Sequence, residues 1–367
     1  MCALERGKPD RLPVSVHQWQ PYHLEEHLGG ISDVEAFEKF GMDAQVQYFA
    51  DMGQFWVANA DFSNPPRRTT NEWQDQAQAI KDDPDDRIVH HTIVTPEGTL
   101  TYKTGGDRRT TWITEYMVKH DEDIELIRKY MPVPQLDLKP IGELYDEIGD
   151  RGILRGFVWG DQAGCWQHAC CLKDVSELIM ACYDKPEWVH ALLKILLDKK
   201  LQFIEGMEGA KFDLVETGGG AASSSLISPK LHEEFCLPYD RKLHDALHEL
   251  SFKITYHTCG GTLGIEEMIV ANGCDASETL AAPSIGGNQE PWEFKEKIGN
   301  RLALIGGMDQ FNVVTEGTGQ QIRDKVFELF KKVGYEGGYI CSMADHFFET
   351  SPEKLKIFAE AARECIY

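Results

Sequence analysis

The sequence predicts an α/β fold closed into a (β/α)8 TIM barrel, and three observations carry that prediction. Short β-rich runs alternate with amphipathic helical stretches about eight times, the pattern of parallel strands joined by helices. The length, 367 residues, is ordinary for such a barrel folded as one domain. The first strand run leads into "VHQWQPY", without the glycine-rich phosphate loop that usually follows the first strand of an open doubly wound sheet.

Taken in order, the strand runs are Leu12–His17, Phe55–Asp61, Ile153–Trp159, Phe212–Thr217, Phe252–His257, Cys274–Thr279, Leu302–Gly307 and Gly337–Ser342. Each is short and mostly rich in the residues that suit a pleated, buried surface. Helical stretches lie between them. Those after Ser228 and Ser351 open on Ser-Pro, where the hydroxyl caps the helix and proline fits its first turn. The segment from Lys185 to Met207 carries an apolar stripe at helical spacing. The alternation breaks over residues 62–150, a long polar stretch with two extended runs around the turn sequence Thr95-Pro96-Glu97-Gly98. The expected organisation is one domain, residues 1–367, with 62–150 inserted after the second strand and covering one end of the barrel.

Composition narrows the function. Hydrophobic residues at 42% and charged residues at 26% are globular values, so a full core can be buried. The formal charge of −23 repels polyanions, which argues against nucleic acid and acidic lipid as partners. No run of about 18 apolar residues appears, so no membrane span is expected. "MCALERGKPDRLPV" has charges where a secretory signal needs its apolar core. With that, the ten cysteines read as reduced thiols of a cytoplasmic protein.

In a barrel of this kind, chemistry gathers at the C-terminal ends of the strands. The first strand run ends on His17, Gln18 and Trp19 with Tyr22 beyond, and the second on Asp61 and Phe62. The third leads to Asp161, Cys165 and His168, and the fourth ends on Glu216 before three glycines. The fifth offers His257 and Cys259, the sixth Glu278, the seventh Met308 and Asp309, and the eighth Cys341, Ser342, Asp345 and His346. His257 and Cys259 are two apart, share a strand face, and suit a soft cation such as zinc. With one or two carboxylates from facing strands they would make a site with an open position, the catalytic pattern. A structural zinc site would more often show paired Cys-x-x-Cys knuckles, and the chain has none. Trp19, Tyr22 and Phe62 are candidates to hold an aromatic ring. His17, His168 and Met308 are further substrate-binding candidates, and Glu216 and Asp309 are candidates to relay a proton.

With the strands placed, the chain resembles the uroporphyrinogen decarboxylase superfamily, (β/α)8 barrels that include corrinoid-dependent methyltransferases. The resemblance is strongest in "SSSLISPKLHEEFCLPYDRKLHDALHELSFKITYHTCG", then in "RLALIGGMDQ" and "GGYICSMADHFFETSPEKLKIFAEAARE". "TPEGTLTYKTG" followed by "TTWITEYMVKHDEDIELIRKY" is similar to the methyltransferase side. The arginine-rich motif that decarboxylases carry after the first strand is replaced here by "VHQWQPYHLEEH". The resemblance implies zinc held by His257, Cys259 and a third ligand after the eighth strand. Thiol-alkylating members have a cysteine there; here Asp345 stands at that position, with His346, Cys341 and Glu278 as alternatives. It further implies an O-demethylase-like transfer of methyl from a small methoxy compound, an aromatic methyl ether, to the cob(I)alamin of a partner corrinoid protein. The chain has no Asp-x-His-x-x-Gly run of its own for a corrinoid. The alternatives are a methyl-corrinoid to thiol transfer, with a coenzyme M-like acceptor, and a uroporphyrinogen-type decarboxylation. A homodimer is the implied assembly.

Overall fold

A computed structural model describes residues 1–48, 70–159 and 164–367. Eight parallel strands form the barrel sheet: β1 (Val14–Ser15) and β2 (Ala44–Gln47) first, and the other six later in the chain. Between them lies an antiparallel four-stranded sheet of β3 (Gln74–Asp83), β4 (Asp86–Thr95), β5 (Gly98–Gly106) and β6 (Thr111–Glu115). The barrel resumes with β7 (Gly152–Phe157), β8 (Leu214–Gly218), β9 (Ile254–His257), β10 (Ala276–Thr279), β11 (Ala303–Met308) and β12 (Tyr339–Met343). The sheet order is β1-β12-β11-β10-β9-β8-β7-β2. The end strands meet through Asp43, whose amide donates to the Val14 carbonyl at 2.8 Å and whose carboxylate accepts from the Val14 amide at 2.9 Å. The fold is a nearly closed barrel, as the alternation predicts.

The second strand is where sequence and structure part. The predicted run Phe55–Asp61 lies outside the described residues, and the strand that pairs with β7 is Ala44–Gln47. Its sequence, AQVQ, points Gln45 and Gln47 one way and so lacks an apolar run.

Strand alternation sorts the core into two layers. Ile153, Leu214, Ala276, Ala303, Ile305 and Ile340 pack with Ala3 and Leu4 as one apolar cluster, the lower filling of the barrel. Leu154, Val215, Ile254, Tyr256, Leu304, Tyr339 and Cys341 have the opposite parity and pack in the main core against the helices. The Tyr256 hydroxyl there donates to the buried Asp240 carboxylate at 2.7 Å. Ser228 and Ser351 cap their helices as their Ser-Pro sequences predict, accepting from the amides of Leu231 and Lys354.

The hairpin turn at Thr95–Gly98 joins β4 to β5, with the Gly98 amide donating to the Thr95 hydroxyl at 3.1 Å. Beyond β5, Arg109 reaches the barrel and pairs with Glu349 after β12. Glu349 also accepts from the Tyr22 hydroxyl at 3.1 Å. The loops after β8 to β11 are stitched to one another. The Ser225 hydroxyl accepts from the Gly261 amide at 2.8 Å and donates to the Gly286 carbonyl at 3.0 Å. Asn288 accepts from the amides of Thr262 and Leu263, each at 2.9 Å, and donates to Ser224 at 2.9 Å. Leu226, Leu263 and Phe311 stand exposed on these loops.

Candidate metal centre

One step above the apolar filling, the barrel interior turns polar. Arg155 of β7 is fully buried, and its guanidinium lies between Glu216 of β8 and Glu278 of β10. One Nη donates to Glu278 Oε2 at 2.8 Å, while the other contacts both carboxylates. An arginine inside a strand is tolerated only with such partners. His257, at the end of β9, has its Nδ1 2.8 Å from Glu278 Oε1 and 3.5 Å from Glu216 Oε1. A proton on Nδ1 therefore goes to a carboxylate, which fixes the ring's orientation as in metal-binding histidines.

The electrostatics favour a cation at this point. Burial pushes the His257 pKa down, but Cys259, which is hydrogen-bonded to it, and the two carboxylates reverse this and hold it well above the ordinary value. A thiol and two carboxylates around one imidazole attract either a proton or a metal ion. Glu216 and Glu278 split in opposite directions. Burial raises Glu216, with Glu278 adding to it against Arg155. Burial opposes ionisation of Glu278 as well, but Arg155 and His257 outweigh it and hold its pKa below the usual carboxylate range.

Two overlapping groups of donors form the mouth. His17, His257 and Glu278 have donor atoms within 4.8 Å of one another, and so do His17, Asp345 and His346. Asp345 and His346 are half-buried. Cys259 sits beside His257 and against Gly220, where an added Cβ would come within 2.6 Å of its sulfur. The glycine run at 218–220 is thereby explained. A Cβ on Gly218 would meet the His257 carbonyl at 2.5 Å, and its φ of +91° is in the left-handed region. The loop after β8 passes close over the His257–Cys259 turn, and side chains there would push it off. The two donor groups supply imidazole and carboxylate, and the Cys259 thiol lies beside His257; all three are residue types that can bind a metal ion.

Several residues singled out in the sequence lie elsewhere. Trp19 is buried in the helical core, 5.8 Å from Phe40 and 5.6 Å from both Phe37 and Phe347 between ring centroids. It packs rather than holding a substrate ring. Met308 likewise belongs to the main core. Cys341 has the outward parity of β12, its thiol beside Tyr339 with burial raising its pKa to about 12, so it is no ligand. His168 is buried against Trp159, at 5.2 Å, and near Lys200, apart from the donor groups. Tyr22 is at the rim, bonded to Glu349. Phe62, Asp61 and Asp161 are outside the described residues.

Asp309 is a cap instead of a proton relay. Its carboxylate accepts from Ser284 Oγ at 2.7 Å, from the amides of Phe311 and Asn312 at 3.0 and 2.8 Å, and from Asn312 Nδ2 at 2.9 Å. Asp309→Ala is expected to cost about 1–2 kcal/mol of stability, the value of a helix cap. Asp309→Asn is expected to leave turnover per folded molecule nearly unchanged. A large loss of turnover in the folded Asn variant would restore its catalytic role. The residue that sequence reasoning missed is Arg155, signalled by an arginine sharing the strand face of Ile153.

Fold and donor groups together define a (β/α)8 barrel with a candidate metal site at the C-terminal pole. The chain belongs to the uroporphyrinogen decarboxylase family, whose sequence profile matches residues 99–365. It is 25% identical over 179 residues to the methylated-thiol–coenzyme M methyltransferase of Methanosarcina mazei, covering 49% of this chain and 45% of the relative. It is 28% identical over 191 residues to the uroporphyrinogen decarboxylase of Aliivibrio salmonicida, covering 50% of each. It is 26% identical to the methylcobamide:CoM methyltransferase MtbA of M. mazei, covering 60% of this chain and 62% of that one. The chain thus spans about half the length of the first two of these relatives. A solved methyltransferase from M. mazei has the same fold, with a TM-score of 0.64 and 14% identity over 99% of this chain and 96% of the other. Among the described residues, no helix is long and apolar enough to cross a membrane.

Proposed function

We propose that this chain is a zinc-dependent methyltransferase that moves a methyl group from a methoxy compound, an aromatic methyl ether by preference, to the cob(I)alamin of a partner corrinoid protein. The observation that carries the reading is His257, its Nδ1 fixed by Glu278 and its ring bonded to Cys259, with a second donor group of Asp345 and His346 meeting it at His17. His257, Cys259 and Asp345 or His346 would hold the zinc. When bound, zinc supplies Lewis acidity toward an ether oxygen, worth several kcal/mol in the transition state. In the transfer, the methyl C–O bond breaks, the methyl passes to the corrinoid acceptor, and the oxygen leaves with a proton. Glu216, raised by burial, is the carboxyl able to hold that proton beside the donors. Arg155 keeps Glu278 ionised and so keeps the His257 ring in place.

An oxygen ligand at Asp345, in place of a thiolate, suits an ether oxygen better than a sulfur. The similarity to two coenzyme M methyltransferases favours a second reading, in which a thiol takes the methyl from a methyl-corrinoid protein. A cytoplasmic homodimer completes the proposal.

The test starts with metal content. About one zinc per chain is expected in the wild type and none in His257→Ala or Cys259→Ala. The wild type with reduced corrinoid protein is then expected to release phenol from a methoxyarene. No zinc, even after reconstitution, overturns the reading; zinc with methylation of a thiol alone selects the second one.

A further inference from the structure

We propose that His17, on the first strand, is a metal ligand, and that it joins the His257 side of the mouth to the loop carrying Asp345 and His346. The inference rests on the metal reading above and adds a donor that the His-x-Cys pair does not announce.

Position comes first. His17 is 5% exposed, and its ring centroid lies 5.1 Å from that of His257 and 5.3 Å from that of His346. The three imidazoles form a row with His17 in the middle. Interplanar angles of 46° and 33° show tilted rings and not a stack. His17 is the one residue common to both donor groups, its nitrogens within 4.8 Å of the donor atoms on either side. The nearest carboxylate oxygen, Glu278 Oε1, is 3.9 Å from its Nδ1, beyond a hydrogen bond.

The second observation is that the ring makes no hydrogen bond to protein. Three other buried histidines bond to protein groups through at least one nitrogen, although Nε2 of His23 and of His232 is left without a partner. His23 Nδ1 is 3.0 Å from the Phe348 carbonyl, and His232 Nδ1 is 2.8 Å from the Ala222 carbonyl. His244 uses both nitrogens, at 2.8 Å to the Asn272 carbonyl and 2.7 Å to Thr217. Among the described residues, neither ring nitrogen of His17 has a hydrogen bond. Imidazoles that make no protein hydrogen bond keep their lone pairs available to a cation. A metal ion beside His17 would take its lone pair together with donors of either group. Backbone geometry holds the ring there, because Gln47 Nε2 donates to the His17 carbonyl at 2.8 Å.

The experiment compares the wild type with His17→Ala and His17→Gln, the latter retaining volume and polarity. Zinc affinity is read by competition with a chromogenic chelator, the cobalt(II)-substituted proteins by their visible absorption, and folding by melting with and without zinc. The expected result is zinc binding weaker by at least about tenfold, altered cobalt bands, and loss of much of the zinc-induced rise in Tm. Melting of the metal-free His17→Gln protein is expected to match that of the wild type. A merely packing role would lower that metal-free Tm and leave the cobalt bands alone, and this would overturn the proposal. Unchanged zinc affinity and cobalt spectrum in both variants would overturn it too, with the metal centre itself intact. A wild type that binds neither metal would overturn the metal reading and this inference together.

Discussion

Arg155→Met is expected to cost about 3–5 kcal/mol of stability, the penalty for removing one partner of a buried ionic group. The guanidinium is fully buried and bonded to two carboxylates from different strands. Without it, Glu216 and Glu278 face each other in the buried interior with only the imidazoles of His257 and His17 nearby to balance them. One carboxyl would have to take a proton, and the His257 ring would lose its fixed acceptor. Adding Glu216→Gln to the same chain is expected to recover part of the loss, because it removes one of the stranded charges. Urea unfolding of the two single variants and the double variant measures the coupling directly. If Arg155→Met unfolds at the wild-type urea midpoint, the arginine does not pin the barrel interior.

The second large effect is on pH dependence, at Asp240. Burial drives this carboxyl from an ordinary value of 3.8 up to about 7, against the pull of the Tyr256 hydrogen bond and of Lys200. The folded chain then keeps a proton that the unfolded chain has released between about pH 4 and pH 7. Stability therefore falls as pH rises through that window and is level above it. Roughly three pH units correspond to about 4 kcal/mol at most. Asp240→Asn can still accept from the Tyr256 hydroxyl and carries no charge. It is expected to match the wild type near pH 4 and to exceed it by a few kcal/mol at pH 8. Urea midpoints at both pH values check this. An equal difference between the two proteins at both pH values would mean that Asp240 is ionised in the fold throughout.

Much of the barrel was legible because its outer layer obeys simple rules. β-branched and aromatic residues mark β7 to β12, and Ser-Pro marks two helix starts. The second strand was illegible because its inward residues are Gln45 and Gln47, and a polar interior erases the apolar signature on which strand reading depends. The same interior hid Arg155, whose role exists only when Glu216 and Glu278 are brought to it from 61 and 123 residues away. The spacing of His257 and Cys259 placed both at the end of β9, where the structure has them side by side. Trp19, Met308 and Asp309 were misread because a strand end fixes the pole of the barrel but not the direction of a side chain. Trp19 turns into the helical core, and Asp309 turns back onto its own loop.

The stitched loops after β8 to β11 have a thermodynamic consequence. Ser225 and Asn288 tie the loops after β8 to β10, and Ser284 bonds Asp309 after β11, so Leu226, Leu263 and Phe311 are displayed on segments whose freedom folding has already removed. An association at this face would lose little further conformational entropy. Its heat-capacity change would then track the apolar area covered, with little contribution from loop ordering. The rim is a preorganised seat.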